Sequence, residues 1–224
     1  MSFTSYAQNG EDVILYGALK QIDGGFYIDI GAYHPIIDSV TKAFYDRGWH
    51  GINVEPNPDC FNLLKVDRVR DTNLNIAVGN FVGEVTFYNV VDTGLSTIRS
   101  EYAEHAALAG FEVQELNIPC STLDVICSIY DVQTVHFLKI DAEGAESDIL
   151  QGFSFDRVRP WVLVIEAFEP GTMNNTYDEW EQLVITKEYE FVYCDGLNRF
   201  YIASERTELR GCFRPPFNSE ERSE

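Results

Sequence analysis

The fold class is decided by residues 25–58, whose sequence is GFYIDIGAYHPIIDSVTKAFYDRGWHGINVEPNP. The apolar run FYIDI predicts a strand that ends at Asp29, and GINVE predicts a second strand that ends at Glu55. Residues 39–47 have the apolar spacing of a helix, which Gly48 closes. A strand, a helix and another strand in this order form a βαβ unit, which is the repeating element of a parallel sheet.

The rest of the chain continues this alternation, with helices predicted at residues 13–22, 57–66, 100–109, 122–130, 143–151 and 177–187. Strands are predicted at residues 73–78, 84–91, 135–140 and 161–165, with a closing pair at 190–194 and 196–204. Ser121 is a predicted helix N-cap, and residues 79–83 are predicted to join two strands as a hairpin. The pattern predicts an α/β fold in which a mostly parallel sheet is covered on both faces and ends with one antiparallel strand. We expect one domain over residues 1–211 and a tail over residues 212–224.

The composition excludes several classes of partner. Asp and Glu total 36 against 16 Lys and Arg, whereas proteins that bind nucleic acid or anionic membranes display basic surfaces. No apolar run reaches the roughly 18 residues of a membrane span, and the N-terminus lacks the features of a secretory signal. The five cysteines are scattered without CxxC spacing, which is typical of reduced thiols. We therefore expect a cytoplasmic protein that acts on a small molecule.

Acidic residues stand at four predicted strand ends, namely Asp29, Glu55, Asp141 and Glu166. In an open parallel sheet, ligands bind beyond the carboxyl ends of the strands, near the point where the strand order reverses. We therefore expect these four carboxylates to surround one site.

The first loop after a strand, IDIGAYHP, contains a single glycine, Gly31. A dinucleotide site requires G-x-G-x-x-G at this place so that a pyrophosphate rests on the helix start. The absence of that motif favours a ligand without a pyrophosphate. Glu55, at the end of the second strand, suits the two hydroxyls of a ribose. These features indicate an adenosine-type ribose but leave open which cofactor carries it.

A second candidate cluster is FLKIDAEGAE, residues 137–146. Gly144 permits a sharp entry into the next helix, and the helix dipole favours Glu143 and Glu146 in its first turn. The dipole does not explain Asp141, because a carboxylate at a central strand end is costly without a partner. Asp141 is therefore a candidate functional residue.

The motifs AQNGEDVIL, GFYIDIGAYHP, GWHGINVEPNP, NLNIAVGN, FLKIDAEGAE and DGLNRFY resemble those of the FkbM family of S-adenosylmethionine-dependent methyltransferases. The resemblance extends over residues 5–209 in the family's order. It implies the class I methyltransferase fold, a Rossmann-like three-layer sandwich whose seven-stranded sheet has an antiparallel strand in the last-but-one position. It also implies S-adenosylmethionine as the cofactor, with the methionine end near Asp29 and the ribose on Glu55. The implied cofactor-binding residues are Asp29, Gly31, Ala32, Tyr33, Ser39, Glu55, Pro56, Asn57, Ala77, Val78, Ser96 and Asp141.

Members of this family act mainly as O-methyltransferases on sugars, macrolides and related metabolites. GWHGINVEPNP and DGLNRFY are most similar to members associated with glycan biosynthesis, which points to a sugar hydroxyl on a glycan or a nucleotide sugar. The residues expected near the acceptor are Gln8, Glu143, Asn198 and Arg199. Arg199 is expected to meet either a phosphate of a nucleotide sugar or nearby surface acids.

Methyl transfer to an alcohol is an in-line displacement that requires removal of the hydroxyl proton. Because a sugar hydroxyl is a weak acid, a base or a metal is expected. Asp141 and Glu166 end adjacent predicted strands, so we expect them to share a divalent ion, Mg²⁺ or Mn²⁺. His34, in the loop beside the cofactor, is the alternative base.

Two other functions remain open. The same fold supports methyl transfer to nitrogen or to a non-sugar alcohol, and the chemistry of the site decides between them. A protein that binds S-adenosylmethionine without turnover is the second alternative, although the presence of Asp29, Glu55 and Asp141 argues against it. The absence of a G-x-G-x-x-G motif argues against the hypothesis of an NAD-dependent oxidoreductase.

Overall fold

The computed structural model of the chain describes residues 3–169 and 174–214. The strands are β1 (Phe26–Ile30), β2 (His50–Val54), β3 (Thr72–Leu74), β4 (Ala77–Val78), β5 (Gly83–Val90), β6 (Val113–Ser121), β7 (Phe137–Ile140), β8 (Val162–Glu166), β9 (Tyr189–Cys194) and β10 (Asn198–Ala203). The helices are α1 (Glu11–Leu19), α2 (Lys42–Tyr45), α3 (Pro58–Asp67), α4 (Ser100–Leu108), α5 (Leu123–Ile129), α6 (Glu146–Gln151) and α7 (Glu181–Thr186). Short 3₁₀ turns lie at Tyr177–Glu179 and Thr207–Leu209.

Seven strands form the central sheet in the order β3-β2-β1-β7-β8-β10-β9. β1 lies parallel to β2 on one side and to β7 on the other. β10 lies between β8 and β9, in the last-but-one position, and runs antiparallel to both. The structure thus confirms the predicted fold class. The strand order reverses between β1 and β7, which is where a parallel sheet opens a crevice at its carboxyl edge.

Helices cover both faces of the sheet and give the molecule three layers. The core beneath α1 and α2 includes Ile14, Leu15, Phe44, Phe137 and Phe200. The core beneath α5, α6 and α7 includes Ile28, Ile126, Ile149, Leu163 and Val184. Because both faces are filled with apolar side chains, the carboxyl edge is the place where polar groups of the strands gather.

The sequence prediction was wrong in the middle of the chain, where a second sheet has the order β4-β6-β5. Residues 73–78, predicted as one strand, divide between β3 of the central sheet and β4 of the second sheet. β5 forms no hairpin with the strand before it, and pairs instead with β6 from Gly83 opposite Cys120 to Val90 opposite Val113. The partners β5 and β6 are separated by α4, so the local periodicity of the sequence gives no sign of their pairing.

Several predicted helix boundaries also differ from the structure. α6 begins at Glu146 instead of residue 143. Glu143 (φ 49°) and Gly144 (φ 94°) adopt left-handed conformations, which a right-handed helix cannot include. Thr122, not Ser121, is the N-cap of α5, because the preceding residue still belongs to β6. α2 is a single turn, shorter than the predicted helix at residues 39–47, and the predicted helix at 177–187 divides into a 3₁₀ turn and α7.

Three expectations concern the chain as a whole. Within residues 3–169 and 174–214, none of the helices combines the length and apolar character needed to cross a membrane. All five cysteines are unpaired. Phe213 packs against the core beneath α1 and α2, whereas most of the predicted tail, residues 215–224, lies outside the described residues. The domain boundary at residue 211 therefore remains a prediction.

Candidate active site

The carboxyl edge of the central sheet opens into a cavity of about 290 Å³, which we name the edge cavity. The loops that follow β1, β2 and β7 line it, together with β4 and the loop at residues 93–98. The predicted site residues in its wall are Gln8, Gly31, Tyr33, Glu55, Pro56, Asn57, Ala77, Val78, Ser96, Asp141 and Glu143. The predicted site residues outside its wall are Asp29, Ala32, His34, Ser39, Glu166, Asn198 and Arg199.

Gly31 joins three of the loops that form the wall. Its φ of 76° is left-handed, and a Cβ atom at this position would lie 1.8 Å from the carbonyl oxygen of Asp141. The N–H groups of Gly31 and Ala32 both donate to the carbonyl of Val54, at 3.0 and 3.2 Å. The loops after β1, β2 and β7 therefore meet at a position that only glycine can occupy without displacing them.

Glu55 is a buried carboxylate that faces the edge cavity. One of its oxygens accepts the N–H of Tyr33 at 2.7 Å, and the other accepts the N–H of Asn57 at 2.7 Å. Burial raises the pKa of Glu55 to about 7, although these two hydrogen bonds oppose the rise. Each oxygen still has a lone pair for a ligand, so Glu55 both holds two loops and offers acceptors to the cavity.

One part of the edge cavity is apolar and is lined by Ile76, Ala77, Val78, Phe87 and Ile98. Asn89 braces this part, since its side-chain oxygen accepts from Asn57 Nδ2 at 2.8 Å and from Ser96 Oγ at 3.2 Å. Ser96 in turn accepts the N–H of Val90 at 3.1 Å. Asn89 thus ties the loop after β2 to the loop at residues 93–98, a link that the sequence analysis missed.

Lys139 is a second residue that the sequence analysis missed. It lies in the interior of β7, is only 6% exposed and lines the edge cavity. Its Nζ is 3.1 Å from an oxygen of Asp141, 3.3 Å from the carbonyl oxygen of Gly31 and 3.8 Å from an oxygen of Asp29. Burial lowers the pKa of Lys139, but the two carboxylates raise it by more, so the ammonium group stays charged. A charged residue within a buried apolar strand, two residues before Asp141, is the sequence signal that marks it.

Asp29 lies beneath the wall, because β1 continues past the predicted strand end to Ile30. Thr41 Oγ1 donates to one of its oxygens at 3.2 Å, and among the described residues the other oxygen accepts no hydrogen bond. Burial raises the pKa of Asp29, an effect that Lys139 and Arg68 oppose. Arg68, fully buried, donates to Thr41 at 2.7 Å and to Ser39 at 3.3 Å. Asp29 and Ser39 therefore support the first loop from behind.

Three carboxylates at this edge lie close together. One oxygen from each of Asp141, Glu143 and Glu166 is within 4.8 Å of the other two, and we name this group the acidic trio. Burial, followed by repulsion from Asp141, raises the pKa of Glu143 to about 9 and also raises the pKa of Glu166. A fourth acid nearby, Glu146, is buried and differs because one of its oxygens accepts two backbone N–H groups of its own loop, at 2.9 and 3.3 Å.

Two of the predicted residues lie elsewhere in the fold. The Nδ1 atom of His34 accepts the N–H groups of Ile36 at 3.1 Å and Ile37 at 3.0 Å, as in a capped turn. The guanidinium of Arg199 is held by Glu181 at 2.7 Å, which matches the surface-acid alternative for this residue. Neither side chain lines the edge cavity.

The N-terminal segment does reach the edge cavity, through Gln8 and Glu11. Glu11 is buried and accepts from Asn198 Nδ2 at 3.0 Å and from the N–H of Asn9 at 2.8 Å. Asn198 therefore contacts Glu11, which lines the cavity, but does not line the cavity itself. Glu11 therefore carries a role that its helix-start position did not reveal.

A mostly parallel sheet with an antiparallel last-but-one strand and an acidic cavity at its carboxyl edge defines the class of Rossmann-like methyltransferase folds. The family described as "Methyltransferase FkbM domain" matches residues 29–193. The chain belongs to this family and is a methyltransferase. One solved structure, described as "Structure of the O-methyltransferase NovP", is similar over 87% of this chain and 78% of that chain, with 9% identity and a TM-score of 0.40. That likeness is too low to inform on activity, and a search of curated protein sequences found no match.

Proposed function

We propose that the protein is an S-adenosylmethionine-dependent O-methyltransferase that acts on a sugar hydroxyl of a glycan or nucleotide sugar. The observation that carries the cofactor assignment is Glu55, a buried carboxylate at the end of β2 that faces a cavity without a pyrophosphate loop. Membership of the FkbM family supports methyl transfer. The sugar acceptor rests on the resemblance of the sequence to family members associated with glycan biosynthesis.

The residues of the edge cavity fit S-adenosylmethionine. This molecule carries a sulfonium and an ammonium group, and the cavity wall contains the carboxylates of Glu11, Asp38 and Glu143, which favour cations. Glu55 offers acceptors to the two ribose hydroxyls. The apolar part of the cavity, beside Ala77, suits a flat adenine ring.

We assign the methionine end to the wall formed by Gly31, Tyr33 and Asp141. Asp29 and Ser39 lie behind this wall and would hold the loop in place through their contacts with Thr41. Pro56, Asn57, Val78 and Ser96 belong to the adenine side, and Ala32 supports the loop by its bond to β2. Gln8, at the exposed mouth, is assigned to the acceptor side together with Glu143 and Asn198.

The cofactor supplies a methyl group bound to positively charged sulfur. As the acceptor oxygen bonds to the methyl carbon, the bond from carbon to sulfur breaks and the hydroxyl proton passes to a base. We assign this base to Asp141, which lines the edge cavity and forms an ion pair with Lys139 at 3.1 Å. The products are a methyl ether, S-adenosylhomocysteine and a protonated carboxyl group that returns its proton to water.

Two further sequence predictions about catalysis keep a place in the proposal. His34 stays the alternative base, ranked second because its Nδ1 atom already accepts two N–H groups and it lies outside the wall. A divalent ion shared by Asp141 and Glu166 stays a prediction. Methyl transfer does not depend on it, because an ionised carboxylate accepts a proton unaided. A cytoplasmic location likewise stays a prediction.

The test is mass spectrometry of a panel of glycans and nucleotide sugars incubated with the protein and S-adenosylmethionine. We expect one acceptor to gain a methyl group on oxygen. Asp141→Ala should abolish the gain even at saturating S-adenosylmethionine, and Glu104→Ala, an exposed change on α4, should leave it unchanged. Methylation at the wild-type rate by Asp141→Ala would show that Asp141 is not the base. Methylation of a nitrogen atom would show that the acceptor group is not a hydroxyl.

A further inference from the structure

The acidic trio brings together oxygens from separate parts of the chain. Asp141 and Glu143 belong to the loop after β7, whereas Glu166 ends the neighbouring strand β8. One oxygen from each residue lies within 4.8 Å of the other two. Ligand oxygens of one octahedral Mg²⁺ lie about 3 Å apart when adjacent and about 4 Å apart when opposite, so these side chains must approach one another by up to about 2 Å to share one ion.

A second observation shows that the fold leaves these oxygens open. Glu166 is 6% exposed, yet within the part of the chain that the structure describes its carboxylate has no hydrogen bond, and the charges of Asp141, Glu143, Glu146 and Lys139 act on it. One oxygen of Glu143 is also buried without a partner. By contrast, the buried acids Glu55 and Glu146 accept backbone N–H groups. Buried atoms without a partner also occur at Asp29, Asn53 and Trp180, so what distinguishes the acidic trio is its geometry, three carboxylate oxygens within 4.8 Å of one another.

The charges around the trio are unbalanced. Lys139 pairs with Asp141 at 3.1 Å and offsets one of the three negative charges, which leaves two. Isolated buried charges are costly, so these carboxylates require protons or a cation. Asn198, 1% exposed, lies directly across from Glu166 in the sheet, and its side-chain oxygen also has no partner among the described residues.

We propose that Asp141, Glu143 and Glu166 bind a divalent cation of the kind that prefers oxygen ligands, Mg²⁺ or Mn²⁺. The donor set consists of carboxylates without sulfur or imidazole, which matches the preference of these ions. Glu143 is the ligand that the two-residue sequence prediction lacked, and its left-handed backbone turns its side chain out of the helix that follows. An acceptor hydroxyl bound to such an ion loses its proton more readily. Cation binding by these three residues does not depend on the proposed function.

The test is a titration of the full chain with Mn²⁺, followed by calorimetry and by the electron paramagnetic resonance signal of free Mn²⁺. Four proteins are compared: the wild type, Glu143→Gln, Glu166→Gln and the control Glu104→Gln, which removes an exposed acid of α4. We expect one site in the wild type and the control, and an affinity at least about tenfold weaker in each trio variant. The unfolding temperature and the circular dichroism spectrum show that each variant is folded.

Equal Mn²⁺ affinity in all four proteins would overturn the proposal, because the ion would then bind elsewhere on an acidic surface. The absence of a site in the wild type would overturn it as well. If Glu166→Gln does not fold, Glu143→Gln decides the question, because Glu143 lies nearer the surface and has no side-chain partner to lose. S-adenosylhomocysteine binding in metal-free protein separates failure of the ion site from failure of the cofactor assignment.

Discussion

At the scale of single residues, the edge cavity depends on groups that occupy unfavourable positions. Glu55 is a carboxylate removed from water, Lys139 is an ammonium group inside a sheet, and Gly31 has a left-handed backbone. Each is held by partners from neighbouring strands or loops. Their positions are thus consequences of the strand order, and a change at any of them has a predictable effect.

Glu55 makes cofactor binding dependent on pH. Burial raises its pKa to about 7, and the ionised form is the better acceptor for ribose hydroxyls. Affinity for S-adenosylhomocysteine should therefore be high at pH 8 and fall by about tenfold at pH 6, where the carboxyl group is protonated. Calorimetry across this range checks the effect. Glu55→Gln should bind weakly with no such slope, and a flat profile for the wild type would show that Glu55 does not contact the ligand.

Gly31→Ala separates a steric effect from backbone strain. The added Cβ would lie 1.8 Å from the carbonyl oxygen of Asp141, so the loops after β1 and β7 must move apart. We expect a loss of about 3 kcal/mol in the free energy of unfolding and a clear loss of cofactor affinity. Gly24→Ala is the matched control, because its φ of 62° is also positive but open space surrounds it. It should cost only about 1–2 kcal/mol, and equal losses in urea unfolding would contradict the account.

Lys139→Met tests the buried ion pair. It leaves the buried Asp29 and the partly exposed Asp141 without their cation, and breaking a buried pair typically costs about 3–5 kcal/mol. Lys42→Met removes an ion pair with Asp46 near the surface, and such a pair contributes about 1 kcal/mol or less. Urea unfolding of both variants compares the two values. Similar small losses would mean that Lys139 is not needed to balance the carboxylates.

At the scale of elements, the loop at residues 93–98 is fastened to the loop after β7. Thr97 Oγ1 donates to the carbonyl of Glu143 at 2.7 Å, and Arg99 Nε donates to the carbonyl of Gly144 at 2.9 Å. Thr97→Val should cost about 1 kcal/mol and speed amide hydrogen exchange in residues 93–98 while β5 and β6 stay protected. Thr86→Val, an exposed change on β5, should leave exchange unchanged. Unaltered exchange in Thr97→Val would show that the loop is held by other contacts.

The elements also show how far the sequence predicts the structure. β1, β2, β7 and β8 were recognisable because each is an apolar run with an acid at or beside its carboxyl end. The pairing of β5 with β6 was not, because it depends on contacts across an intervening helix. Glu55 and Asp141 line the cavity, whereas their roles in cofactor binding and catalysis stay predictions. The role of Lys139 was not found, because it depends on the placement of β1 beside β7, which brings Asp29 opposite Lys139.

At the scale of the whole molecule, charge bears on the acceptor. The chain has a net charge of −20, and among the described residues that line the edge cavity Lys139 is the sole cation, already paired with Asp141. A phosphate group therefore meets no free cation there, and Arg199 faces Glu181 instead. We expect neutral glycans to be methylated faster than nucleotide sugars carrying the same sugar. Faster methylation of the nucleotide sugars, measured by mass spectrometry at matched concentrations, would contradict this expectation.

The central claim is that the crevice between β1 and β7 binds S-adenosylmethionine through Glu55. The strand order that opens the crevice also occurs in folds that bind other cofactors. A binding measurement therefore tests the cofactor assignment more directly than the topology does. The most direct measurement is calorimetric titration of the wild type and Glu55→Ala with S-adenosylhomocysteine and with NAD⁺. We expect one molecule of S-adenosylhomocysteine to bind the wild type, much weaker binding to Glu55→Ala, and no binding of NAD⁺. Binding of NAD⁺ without S-adenosylhomocysteine, or equal S-adenosylhomocysteine affinity in both proteins, would contradict the account.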